Sequence, residues 1–346
     1  MANLSEKYNI IPIYISREGV WLTGKKLNLV SSYTNFTRSG LLECYLVPHS
    51  NSLFIKGRFG TKQKKIDAIV LALHGAYGED GSIQGLLELT QIPYVGSSVF
   101  GSSITMDKVA AKMLMLQNNI KTPKFVYFYG EEFQKDEIGI LKKIESELGS
   151  KVVVKPCRAG SSIGVSFCQT QKEIVDAINL ALCFDNKVIV EEAITNFREV
   201  NVAVLGAGNE TKISSLEEVV VQQNILSFDQ KYINAEKNER IVDVHLDEIV
   251  EETLKEYAKK AFYLFELAGV CRMDFFVQEE NVFLNEINAI PGSMANYLFK
   301  DFSFSEMLDS LLEIANKQKI KKDSLTYLYS STALLNYENM CGKMHK

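Results

Sequence analysis

Val270-Cys-Arg-Met-Asp-Phe-Phe-Val-Gln-Glu-Glu-Asn-Val-Phe-Leu-Asn-Glu-Ile-Asn-Ala289 holds two period-2 runs, Val270 to Val277 and Val282 to Ala289, separated by the polar turn Gln278 to Asn281. The pattern predicts a β-hairpin. With the turn centred near Glu280, Asp274 faces Glu286 and Arg272 faces Asn288, because both pairs of residue numbers have the same sum. Residues two apart on a strand share a face, so Arg272, Asp274, Glu286 and Asn288 converge on one side of the hairpin. Opposed carboxylates repel, a cost that a divalent cation between them reverses. Oxygen donors without thiolate or imidazole point to Mg²⁺ or Mn²⁺ rather than zinc. Pro291-Gly292 follows, a turn whose backbone N–H groups can face an anion. The plain alternative is a hairpin face that only solvates its charges; the joining of Arg272 and Asn288 to the two carboxylates weighs against it.

Upstream, Lys151-Val-Val-Val-Lys155-Pro-Cys-Arg-Ala-Gly160-Ser-Ser-Ile-Gly164 is a buried-strand pattern that ends in a lysine and opens into a glycine and serine loop. Such loops wrap backbone N–H groups around phosphate oxygens while a lysine supplies charge, although a plain turn has the same composition. No Walker loop occurs; Gly19 to Lys26 comes close but ends in lysine where a hydroxyl is needed. His74-Gly-Ala-Tyr-Gly78-Glu-Asp-Gly81 follows the apolar run Ala68 to Leu73, where ligands of open α/β sheets collect. Lys108 belongs to a helix starting near Ser103 or Thr105, ordinarily a place for a solvated charge. Glu191 and Glu192 end an apolar strand, either as edge decoration or as acceptors for an adenine amino group and ribose hydroxyls.

The 346 residues carry 46% hydrophobic and 23% charged side chains, which excludes disorder, and their length predicts two or three domains. Strands alternating with helices predict an α/β domain with a parallel sheet over 1–105, a smaller α+β lobe over 106–190, a third lobe over 191–320, and a tail over 321–346 opened by the basic cluster Lys317 to Lys322. In the third lobe we expect strands Val200 to Leu205 and Ile213 to Val220, a polar stretch Gln222 to Glu239, and a helix around Asp247 to Leu267. A net charge of -5 argues against nucleic acid as principal partner. Apolar runs fall far short of the ~20 residues needed to span a bilayer, so no membrane partner is expected. The opening MANLSEKYN has no apolar signal core, and the six cysteines form no C-x-x-C pair, which together predict a cytoplasmic protein with reduced thiols.

The stretches HGAYGEDGSIQGLLEL, PYVGSS, SITMDK, VVVKPCRAGSSIGVS, VIVEE, REVNVAVLG, KY, RMDFF and NEINAIPGS run in order from His74 to Ser293, and with them the chain resembles the D-alanine-D-alanine ligases of the ATP-grasp superfamily. The resemblance implies a three-lobed ATP-grasp fold, α/β and α+β, with a Rossmann-like N-terminal domain. Since Lys7 to Ile15 matches the family's second strand, it also implies that the usual first strand and helix, with a substrate-binding glutamate, are missing. The implied reaction is ATP-dependent joining of two D-alanines through a D-alanyl phosphate, for peptidoglycan synthesis. The alternatives are D-serine or another acceptor, or an ATP-binding remnant.

By the same resemblance, Lys108 and Lys155 contact phosphates beneath the loop Gly160, Ser162, Gly164, Glu191 and Ile194 line the adenine pocket, and Glu199 holds the ribose. Asp274, Glu286 and Asn288 would hold two Mg²⁺ or Mn²⁺ ions. Arg272 and Gly292 would stabilise the oxyanion. Ser161, Lys231, Tyr232 and His74 would close over the substrates. Tyr297 and Leu298 would meet the acceptor, for which the pair Lys231-Tyr232 favours D-alanine over D-lactate. A homodimer through the first domain is the family habit.

Overall fold

A computed structural model describes residues 7–34, 36–220, 239–301 and 303–326. The first lobe corrects the expectation of a largely parallel sheet. Strands β1 (Ile13–Ile15), β2 (Trp21–Thr23), β3 (Leu42–Leu46), β4 (Ser52–Gly57) and β5 (Gly60–Lys65) form an antiparallel sheet in chain order. The turns from β3 to β4 and from β4 to β5 are too short for a crossover, so these neighbours must run antiparallel. β5 reads Gly-Thr-Lys-Gln-Lys-Lys and is exposed throughout, a charged edge that resists further pairing. The parallel expectation holds for one pair, β6 (Ile69–Val70) and β7 (Tyr94–Val95), connected through helix α2 (Ser82–Thr90). A short helix α1 (Ser31–Thr34) precedes β3.

The helix expected to run through Lys108 is two helices, α3 (Val99–Met106) and α4 (Lys108–Gln117), because Asp107 leaves helical geometry and caps α4 by accepting from the Ala110 N–H. The second lobe is an antiparallel sheet ordered β10-β9-β11-β8. Its strands are β8 (Phe125–Tyr129), β9 (Val152–Pro156), β10 (Ser166–Cys168) and β11 (Lys187–Glu192). Helices α5 (Gly130–Lys135), α6 (Glu137–Leu148) and α7 (Gln171–Leu182) belong to this lobe; α6 and α7 bury Ile144, Ile174 and Ile178 against Val152, Val154 and Val188.

The third lobe is built on β12 (Arg198–Ala207), β13 (Glu210–Ile213), β14 (Glu217–Val220), β15 (Glu239–Val242), β16 (Ala268–Gln278) and β17 (Asn281–Asn288), ordered β15-β14-β12-β16-β17, with β13 also on β12. The single strand expected over Ile213 to Val220 is broken at Ser214, whose Oγ accepts the Ala203 N–H at 2.9 Å in place of a backbone ladder bond. Helix α8 (Glu248–Leu264) covers this sheet through Leu254, Ala258, Ala261 and Phe262. Helix α9 (Phe304–Asp323) packs Met307, Leu308, Leu311 and Ala315 beside Val95, Leu205 and Val270, tying the first lobe to the third. It runs through Lys317 to Lys322, so this basic cluster is helical, while 327–346 of the expected tail lie outside the described residues. All of the polar stretch 222–239 except Glu239 lies outside the described residues, as do Lys231 and Tyr232.

Candidate active site

The hairpin pairs as its sequence requires: Arg272 lies opposite Asn288 and Asp274 opposite Glu286. The route differs from a regular hairpin. Near the turn Gln278 pairs Asn281, Val277 pairs Val282 and Phe275 pairs Leu284, and the register then shifts so that Asn285 is an extra residue. This bulge lets Val282 and Leu284 enter the core with Phe275 and Val277 while Glu286 still meets Asp274. A two-residue turn at Glu279 and Glu280, with Glu279 at φ 53, is paired with one bulge.

On this face Asp274 accepts from Arg272 Nε at 2.7 Å and Nη2 at 2.9 Å, and from Asn288 Nδ2 at 3.0 Å. The Asp274 carboxylate raises the Arg272 pKa, although burial opposes it. Asn288 spends its amide nitrogen on Asp274, which leaves its carboxamide oxygen without that partner. Two lysines lean in from other elements. Lys108, first residue of α4, puts Nζ 3.3 Å from Glu286 Oε1 and donates to the Ala159 carbonyl at 2.6 Å. Lys155 on β9 donates to Glu191 Oε2 at 2.7 Å and reaches Asn285 Oδ1 at 3.4 Å. Burial pushes the Glu286 carboxyl up, but the ammonium groups of Lys108 and Lys155 outweigh it and hold the pKa below its ordinary value.

Glu191, 2% exposed, sits between Lys155 and Lys112, whose Nζ is 3.1 Å from Oε1. Burial raises its pKa, yet the two lysines bring it down to about 2. Lys112 is itself 1% exposed and donates to Thr122 Oγ1 at 2.7 Å; burial lowers its pKa to about 8 against the pull of Glu191. Glu191 Oε1 makes no aligned hydrogen bond, so the Lys112 contact is an ion pair that leaves this buried acceptor open. An adenine amino group is a donor of the kind it lacks. Ile194 and Glu199 are half-buried, Ile194 just beyond β11 and Glu199 on β12.

In the glycine loop, Ser161 and Ser162 hold φ 52 and 57, and Gly164 has φ 70, where a β-carbon would press on the Phe184 ring at 2.7 Å. A β-carbon at Gly160 would meet nothing within 4 Å, so backbone here is open to approach. A small cleft of about 30 Å³ separates this loop from the hairpin, lined by Glu79, Lys108, Gly160, Glu286 and Asn288. His74 is 57% exposed on its side chain and stands behind Glu79, Nδ1 to Oε1 3.7 Å, while Glu79 also accepts from the Gly75 N–H.

After Pro291 and Gly292 the chain makes a left-handed turn, with Ser293, Met294 and Ala295 at φ 53, 52 and 49. Each such residue costs about 1–2 kcal/mol. The turn is held by the Met294 N–H to Pro291 carbonyl bond of 2.9 Å, by burial of Ala295 and Leu298, and by the Ser215 N–H to Leu298 carbonyl bond of 3.1 Å. It returns Tyr297 toward β14, where the phenol donates to Glu217 Oε2 at 3.2 Å. Sequence patterning missed Glu79, Lys112, Asn285 and Glu217. Lys112 carried a signal, being the one charge in the apolar run Val109 to Leu116.

Among the described residues no three carboxylate, imidazole or thiol groups cluster as a metal site. Asp274, Glu286 and the Asn288 carboxamide present hard oxygens on one face of the hairpin, a set that could hold Mg²⁺. The described cysteines Cys44, Cys157, Cys183 and Cys271 are free thiols. No helix among the described residues is long and apolar enough to cross a membrane.

Comparison with known proteins agrees with this geometry. Residues 1–97 match the family model for the D-Ala-D-Ala ligase N-terminus, and 114–312 match that for its C-terminus. The D-alanine–D-alanine ligase of Thermosipho melanesiensis is 38% identical over 89% of this chain and 85% of its own length. That of Caldicellulosiruptor bescii is 37% identical over 93% and 90%. Among solved structures, the Helicobacter pylori D-alanine-D-alanine ligase superposes with a TM-score of 0.73 at 28% identity, covering 88% of each chain. The VanG D-Ala:D-Ser ligase of Enterococcus faecalis does so with 0.74 at 29%, covering 90% of this chain and 91% of its own. The carboxylate hairpin, the two lysines that lean onto it and these likenesses lead to one assignment: the chain belongs to the D-alanine–D-alanine ligase family of the ATP-grasp fold.

Proposed function

We propose that the hairpin face, Lys108, Lys155 and the loop Gly160 to Gly164 carry the family's chemistry on this chain. The reaction itself comes with membership: ADP-forming, ATP-dependent ligation of two D-alanines for peptidoglycan synthesis. The γ-phosphoryl of ATP passes to the carboxylate of one D-alanine, releasing ADP. The amine of the second attacks the resulting acyl phosphate, and phosphate leaves as the peptide bond forms. Two anions must meet in the first step, so catalysis is positioning and charge neutralisation.

Lys108 and Lys155 exchange their carboxylate partners for phosphate oxygens, and Glu191 Oε1 and Ile194 hold the adenine, with Glu199 at the ribose. Mg²⁺ or Mn²⁺ bound by Asp274, Glu286 and Asn288 supplies neutralising charge at the phosphates. Arg272, oriented by Asp274, and the Gly292 N–H face the carbonyl oxygen that becomes the oxyanion. Ser161, with Lys231, Tyr232 and His74, shields the acyl phosphate from water. Tyr297 and the backbone at Leu298 receive the acceptor.

The opposition of Asp274 and Glu286 beneath Lys108 carries this assignment of roles. Its test is ADP release with ATP, D-alanine and Mg²⁺: formation only when all three are present supports it, and ADP release indifferent to D-alanine overturns it. The likeness to a D-Ala:D-Ser ligase supports a second reading in which D-serine is the acceptor; mass spectrometry of products from mixed D-amino acids separates the two. A cytoplasmic homodimer belongs to the same proposal, the dimer being tested by sedimentation equilibrium.

A further inference from the structure

We propose that Arg240, held by Glu217, receives the α-carboxylate of the second amino acid. The inference rests on the reading of Tyr297 as an acceptor-side residue and adds the cation that side needs. Glu217 is 0% exposed at the start of β14 and takes no part in the phosphoryl chemistry. A buried carboxylate is costly unless paired and hydrogen-bonded. Its Oε2 accepts from Asn201 Nδ2 at 3.1 Å and from the Tyr297 phenol at 3.2 Å, and its Oε1 accepts from Arg240 Nη1 at 3.3 Å. The same Nη1 lies 3.2 Å from the phenol oxygen. Asn201 pairs with Glu217 on one side of β12 and with Asp274 on the other, so the network begins directly beside the metal-facing carboxylate. Burial and Glu217 raise the Tyr297 pKa, which keeps the phenol protonated as a donor.

The two arginines divide the site. Arg272 has Nε and Nη2 committed to Asp274 on the phosphoryl side. A second amino acid brings a carboxylate that must also be neutralised, on the far side of its attacking amine. Arg240 is 49% exposed on its side chain, touches Tyr297, and among the described residues is engaged only through Nη1. Its Nε and Nη2 edge is a planar fork of the kind that grips a carboxylate through two parallel bonds. Glu217 and Tyr297 anchor the guanidinium at Nη1 and leave that edge free to turn onto a carboxylate. Arg240 is then a specificity-determining contact and Glu217 a positioning residue, and the pair selects acceptors that carry a free α-carboxylate.

The test uses the full chain with saturating ATP and Mg²⁺. ADP formation against D-alanine gives separate donor and acceptor KM values, and D-alanine mixed with D-alaninamide gives a free-acid to amide product ratio by mass spectrometry. For Arg240→Ala we expect an acceptor KM raised about 30-fold with kcat and donor KM within about threefold, as for loss of one charge-assisted contact. The free-acid preference collapses, and Arg240→Lys recovers part of it. Glu217→Gln, which keeps shape and one acceptor, raises acceptor KM several-fold. Arg198→Ala, which breaks the ion pair with Glu218 across the same two strands, leaves all of these values unchanged. An acceptor KM within twofold of the parent in Arg240→Ala, or equal rises in donor and acceptor KM with a lowered melting temperature, overturns the proposal. A parent protein that forms no ADP in response to D-alanine overturns the family reading first and this inference with it.

Discussion

Glu191 shows how a single buried carboxylate organises the nucleotide side of the site. Lys112 and Lys155 lie on different elements and would repel without it, and its second oxygen stays open for a donor. Replacing it with glutamine strands two ammonium groups in a dry setting, for which we expect a loss of about 3 kcal/mol at neutral pH, read by urea unfolding. The pH dependence has a definite sign. The folded carboxyl titrates at about 2 and the unfolded one near 4.5, so the unfolded state takes up the proton first as pH falls. The stabilisation is therefore complete above the unfolded value and drains away as pH drops toward the folded one. Glu191→Gln should flatten the stability profile across that window relative to the parent; an unchanged slope there counts against the pairing. The apolar run around Lys112 marks the residue but not its partner, because Glu191 lies far along the chain.

Between single residues and lobes lies the way elements deliver side chains. Asp107 caps α4, and it also accepts from Lys187 Nζ at 3.0 Å and from the Cys157 thiol, joining the helix start to the strand end that carries the glycine loop. Lys108 is the next residue, so Asp107→Ala should cost about 2 kcal/mol through loss of the cap and a half-buried ion pair, and should raise KM for ATP. Asp107→Asn keeps the cap and should lose less; thermal melts with ATP titrations separate the two. In the hairpin, the change of apolar phase from Val282 and Leu284 to Ile287 and Ala289 is the sequence signature of the bulge. A regular turn centred on Glu280 predicts the correct carboxylate pairs but puts Val282 and Leu284 on the wrong face. The pairs are legible because chemistry and spacing coincide; the bulge is not, since a single alternation carried from Val282 to Ala289 passes over the change of phase at Asn285.

At the level of the whole molecule, the lobes meet at glycines. Gly269, second residue of β16, has φ 80, and a β-carbon there would lie 3.1 Å from the nitrogen of Gly96, just after β7, while Ser97 Oγ accepts from the Ala268 N–H at 3.3 Å. Gly269→Ala should destabilise the protein by about 2 kcal/mol, lowering the melting temperature by several degrees without altering residues of the cleft. An unchanged melting temperature would mean that the joint yields. Sequence patterning served the second and third lobes well because helices such as Glu137–Leu148 carry their own caps and their sheets read as β-branched runs. It served the first lobe poorly. There, strands such as Gly60–Lys65 are polar and exposed, and nothing in their composition says which neighbour they pair with.

The extra residue at Asn285 also makes a statement about parity. Eleven residues separate Asp274 from Glu286, and that odd spacing can be absorbed either by an even turn with one interruption or by an odd turn with none. Only the first keeps oily and acidic side chains on opposite faces here. Shortening the strand by Asn285 alone should accordingly leave Asp274 and Glu286 opposed in a regular ladder, with the melting temperature nearly preserved and only Lys155 short of an acceptor. Any relative that lacks this residue is expected to keep the same two-residue loop, and length variation in this region becomes readable as geometry.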